Sequence, residues 1–106
     1  MMLKIDQLRS VMELYPSTIW AKRAGVVLGV LRIEREPVEA AKLLRVVQPD
    51  MPVLDDYLRL WIGESLLKQN EPIQAAELLE TIPKIVPDSS LIAKAAYRTG
   101  EAWYSA

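Results

Sequence analysis

Apolar residues return at spacings of three and four along most of this chain, broken at intervals by proline-containing polar turns, and that pattern predicts a series of amphipathic helices. Leu3, Leu8, Val11, Met12 and Leu14 place the first helix over 2–14. Tyr15-Pro16-Ser17-Thr18 ends it: the residue before a proline avoids α geometry, and Ser17 or Thr18 can cap the next helix. The second helix, 19–33, carries Ala21, Ala24, Gly25 and Gly29, small residues that cost helix propensity but let another backbone approach, so they read as a packing seam. After the polar turn Glu34-Arg35-Glu36, Pro37 fits the first turn of a third helix with Val38, Ala41, Leu44 and Val47 on its apolar face, stopping before Pro49. The fourth, 53–68, sets Leu54, Leu58, Trp61, Ile62, Ser65 and Leu66 along one side, and Asn70 suits the left-handed residue that ends many helices. Pro72 opens the fifth, which Pro83 ends or kinks by clashing with the carbonyl of Leu79. Pro87-Asp88-Ser89-Ser90 is a turn with a cap, and a sixth helix runs over 91–104.

Two of these helices begin with the same words. Glu36-Pro37-Val38-Glu39-Ala40-Ala41-Lys42-Leu43-Leu44 recurs 35 residues later as Glu71-Pro72-Ile73-Gln74-Ala75-Ala76-Glu77-Leu78-Leu79, with six of nine positions identical. A period in the thirties is the mark of stacked helical hairpins, each burying its apolar face against its neighbours. Gly29, Gly63 and Gly100 fall at matching places in the second, fourth and sixth helices, and Gly63-Glu64-Ser65 answers Gly100-Glu101-Ala102. The expected fold is all-α: antiparallel helical hairpins stacked as an α-solenoid of about six helices. Residues 1–106 form one repeat domain, expected to be a fragment of a longer chain.

Composition narrows the chemistry. The 106 residues contain no cysteine and no histidine, which excludes disulfides, thiolate nucleophiles, imidazole bases and nearly all zinc or redox centres, so neither a metal nor a cofactor is expected. The longest apolar run, 24–31 between Arg23 and Arg32, is far short of the roughly 20 residues that span a bilayer. Asp6 stands where a signal peptide would be apolar, so no export signal is read. Residues 1–45 hold eight Lys/Arg against five Asp/Glu, and residues 46–106 hold five against nine. The mild asymmetry can orient neighbouring units but lacks the clustered basic face of a nucleic-acid binder.

A family resemblance rests on particular spacings. Gly63 to Ala75, Ala75 to Pro87 and Gly29 to Ala41 are each 12 residues, as in the Gly, Ala and Pro pattern of tetratricopeptide repeats. The chain departs from it where that family has an early tryptophan, here Gly25, Arg59 and Ala96, and at the phenylalanine of the second repeat helix. Residues 53–67, with Asp55-Asp56-Tyr57 ahead of Gly63-Glu64-Ser65, then Ala75-Ala76-Glu77-Leu78-Leu79 and Val86-Pro87-Asp88-Ser89, resemble the superhelical domain of soluble lytic murein transglycosylases. Outer-membrane assembly lipoproteins carry similar hairpins. The resemblance implies a right-handed superhelix, a periplasmic location and a non-catalytic scaffold lying along a peptidoglycan strand. The alternative is an adaptor that binds a protein or peptide in its concave groove.

No catalytic residue is expected. Glu64-Ser65 echoes the Glu-Ser pair of transglycosylases, in which a glutamic acid protonates the glycosidic oxygen, but it lies mid-helix with Glu101-Ala102 as its counterpart and Lys68 in reach for an i,i+4 ion pair. Asp55-Asp56 at a helix start are explained by the helix dipole. Tyr57, Trp61, Tyr97 and Trp103, with Trp20, Tyr15 and Tyr104, cluster on or beside alternate helices, where they serve as core or as a concave stacking surface for sugars or peptides. Lys42 and Glu77 share a repeat position with opposite charge, the sign of a solvated face. The apolar residues of the sixth helix cannot all face the fifth, so weak self-association through the C-terminal helix is expected.

Overall fold

The computed structural model describes residues 19–106; the helix expected over 2–14, the turn after it and Tyr15 lie outside the described residues. The chain runs through α1 (Ile19–Arg32), α2 (Pro37–Val47), two short 3₁₀ turns (Gln48–Asp50 and Pro52–Leu54), α3 (Asp55–Lys68), α4 (Pro72–Leu79), the single-turn α5 (Ile82–Ile85) and α6 (Ile92–Ser105), with no strand among the described residues. Helices pack on their sequence neighbours, α1 on α2, α2 on α3 and α3 on α4, while α4 packs on α6.

Prolines set several of these boundaries. Pro37 and Pro72 each stand in the first turn of a helix after a glutamate of the same non-helical backbone, φ −133° at Glu36 and −116° at Glu71 with ψ 64° at both. The fourth helix begins two residues later than its apolar pattern predicts, because Pro49 and Pro52 remove two amide donors and hold 48–54 in 3₁₀ turns. Pro83 acts as expected and does one thing more: α4 stops at Leu79, the residue whose carbonyl it would strike, and Pro83 itself then sits in the first turn of α5.

The joint within each hairpin is a glycine under a leucine. A Cβ placed on Gly29 would stand 2.8 Å from Leu44 Cδ2, and one on Gly63 would stand 2.6 Å from Leu79 Cδ2. Leu44 and Leu79 both close the repeated nine-residue motif and are both fully buried. This fixes the repeat register. By the motif, Ala40 answers Ala75 and Ala41 answers Ala76, whereas the 12-residue spacing from each glycine pairs Ala41 with Ala75; all four alanines are buried. The one-residue drift arises in the connection. Behind α3 the amide of Glu71 bonds the Leu66 carbonyl and that of Asn70 bonds the Leu67 carbonyl, with Asn70 at φ 62° as expected. Behind α1 the amide of Glu36 bonds the Arg32 carbonyl without any residue of positive φ.

The core follows from these joints. Leu44, Leu58, Ile62 and Leu66 pack with Ala75, Ala76 and Ala102, and a second cluster joins Leu60, Leu79, Ile82 and Ala95. Val38, expected on the buried face of α2, is half exposed, and Ala40 takes its place. The seam admits α1 and α3 only over small side chains, so the branched residue is left on the outside.

Candidate functional site

Along one side of α3 and α6 runs a polar groove of about 350 Å³, lined by Glu34, Glu64, Lys68, Arg98, Glu101 and Ser105 over an apolar floor of Ile33 and Leu67. Residues 64 and 101 answer each other in the repeat, as do 68 and 105. The packing of α3 and α6 brings these equivalent positions together along the groove.

Charge in the groove is matched across helices. Arg98 Nη1 donates to Glu101 Oε1 at 2.8 Å, and its Nε lies 3.6 Å from Glu64 Oε1. That Nε is buried and makes no hydrogen bond. Lys68 Nζ reaches Glu34 Oε2 at 3.1 Å. The expected Glu64–Lys68 pair within α3 does not form, because each side chain meets an opposite charge on a different segment, Arg98 on α6 and Glu34 after α1. These pairs are partly solvated and hold the groove only weakly, so their charges can exchange partners with an incoming chain. Chemically the groove offers carboxylate acceptors and cationic donors side by side. That is equipment for recognising a polar main chain and charged side chains.

The adjacent aspartates have separate structural duties. Asp55 accepts from Arg59 Nε at 2.6 Å and from Gln48 Nε2 at 3.2 Å, and Arg59 Nη1 goes on to Thr81 Oγ1 at 2.8 Å. Asp56 accepts the Tyr57 amide at 2.9 Å and the Ser89 hydroxyl at 2.6 Å, while Ser89 Oγ accepts the Leu91 amide. The serine thus holds the turn that leads into α6, whose N-cap Leu91 makes no side-chain cap, and ties it to α3.

The four aromatics proposed from sequence are not gathered in one place. Tyr57 and Trp61, one turn apart on α3, form a tilted pair with ring centroids 5.6 Å apart. Tyr57 is 37% exposed and Trp61 is half-buried against the core. Tyr97 is exposed with the Arg98 guanidinium 6.0 Å from its ring, and Trp103 donates its indole N–H to Glu80 Oε1. None of the four lines the polar groove. Arg98 was missed by sequence reading; its signal was the pairing of Gly63-Glu64 with Gly100-Glu101, which puts residue 98 at the repeat position of Trp61.

No group of three acidic, histidine or cysteine side chains able to hold a metal occurs among the described residues. No described helix is long and apolar enough to cross a membrane. Compared with protein-family models, with curated proteins and with solved structures, the chain gives no match.

Proposed function

We propose that this chain is a non-catalytic helical-repeat scaffold of the solenoid type, and that its polar groove binds an extended segment of a partner protein. The observation that carries the reading is the charge pattern Glu34–Lys68 and Glu64–Arg98–Glu101 over Ile33 and Leu67, in which Glu34–Lys68 and Glu64–Arg98 join separate elements. Repeated hairpins supply the supporting argument, since stacked units present equivalent side chains in register along one face. Selection from a random peptide library against the whole chain tests it. Enriched peptides should lose about tenfold or more in affinity against Arg98→Glu and against Lys68→Glu, and weaken with salt. If the peptides bind those variants and the parent alike, the groove is not the site.

A second reading is a scaffold segment of a peptidoglycan-acting lytic transglycosylase, and the Tyr57–Trp61 pair favours it. Two neighbouring rings with one edge in solvent suit stacking on a sugar. Under this reading the chain co-sediments with insoluble peptidoglycan, and Tyr57→Ala releases it; a soluble chain in the presence of peptidoglycan counts against it.

A further inference from the structure

The glycine joint that closes the first two hairpins is left open in α6. A Cβ on Gly29 or Gly63 would collide with a leucine, whereas one on Gly100 meets nothing within 4 Å among the described residues. The neighbouring positions agree. Leu28 and Ile62 are 2% and 1% exposed, but their counterpart Thr99 is only partly covered; Leu66 is 5% exposed, but its counterpart Trp103 is 45% exposed. Beside this stripe lies an apolar cleft of about 320 Å³ lined by Leu79, Pro83, Ile92, Ala96 and Thr99, with Glu80 and Lys84 at its rim. In α3 the position of Ala96 is Arg59, which reaches Thr81, a residue just past the end of the motif helix α4. The cleft is therefore placed where the end of another such helix would lie.

We propose that the Gly100 face of α6 is a docking site for an amphipathic helix of this chain's own motif, Glu-Pro followed by paired alanines and paired leucines, with the final leucine seated on Gly100. The occupant is identified by the two copies already in place: Leu44 on Gly29 and Leu79 on Gly63 come from the same motif position. A folded second copy cannot supply it, because its own Leu44 and Leu79 are fully buried. The site is distinct from the polar groove and stands whether or not that groove binds peptide.

The test uses a synthetic peptide with the sequence of residues 71–86, added to the ¹⁵N-labelled full chain. Saturable one-to-one shifts are expected at the Thr99 and Gly100 amides and the Trp103 indole. Affinity should fall at least about tenfold for the peptide carrying Leu79→Arg and for the chain carrying Gly100→Leu, whose Cβ would meet no described atom within 4 Å. Absence of saturable shifts overturns the proposal, as does binding indifferent to Gly100→Leu. Shifts confined to Glu64, Lys68 and Arg98 would place the peptide in the groove and overturn it while sparing the groove reading. A dimer that Trp103→Glu dissolves and the peptide does not compete with would give the face to a second copy, and would overturn it too.

Discussion

Three glycines at one repeat position answer to different forces. Gly63 lies under Leu79, which is wholly buried and surrounded by Leu60, Ile82 and Ala95, so the leucine has nowhere to retreat. Gly63→Ala is expected to destabilise the fold by about 1–3 kcal/mol through overpacking. Gly100 is in the middle of a helix with no described atom within 4 Å of a Cβ placed on it, and there alanine removes only backbone freedom from the unfolded chain. Gly100→Ala should therefore stabilise by about 0.5–1 kcal/mol. Thermal or urea melts of the two variants check both signs together; destabilisation by both would mean that α6 is not open at this point.

Between elements, what matters is how a helix is joined to the one before it. Asp56 and Ser89, 33 residues apart, connect the first turn of α3 to the entry of α6 through a 2.6 Å hydrogen bond. Ser89→Ala removes the acceptor of the Leu91 amide in the turn before α6 and leaves the 8%-exposed Asp56 carboxylate short of a partner. A loss of about 1–2 kcal/mol is expected from the two hydrogen bonds removed. Hydrogen exchange should rise first in the opening turns of α6, and a uniform rise across all helices would speak against a local tie. At the hairpin crossings, Ala75→Leu and Ala41→Leu force extra methylenes into positions 0% and 5% exposed, and each should cost roughly 1–3 kcal/mol. If either melts like the parent, the crossing tolerates bulk and the glycine–leucine joint alone sets the hairpin.

At the scale of the whole molecule, the chain assembles equivalent positions into faces. Glu64 is held in the groove by Arg98 at 3.6 Å, and the proposed scaffold role leads to a prediction about chemistry. The purified chain should release no soluble fragments from peptidoglycan, and Glu64→Gln should leave that null result unchanged. Turnover that vanishes in Glu64→Gln would replace the scaffold with an enzyme.

Periodicity, proline placement and one repeated nine-residue phrase were enough to locate α1, α2, α3, α6 and the start of α4 within about two residues, since backbone breaks and caps act on their immediate neighbours, while the single-turn α5 was not foreseen. The same local logic found Asn70 and the glycine seam. What the sequence did not contain was the choice of partner across space. Lys68 had Glu64 one turn away and took Glu34, Arg98 had no predicted role and became the centre of the groove, and Val38 gave its buried place to Ala40. Each of these was decided by which side chains the packed helices bring opposite one another. Local sequence carries the elements because their hydrogen bonds close within four residues; the groove and the open face of α6 exist only once those elements are stacked.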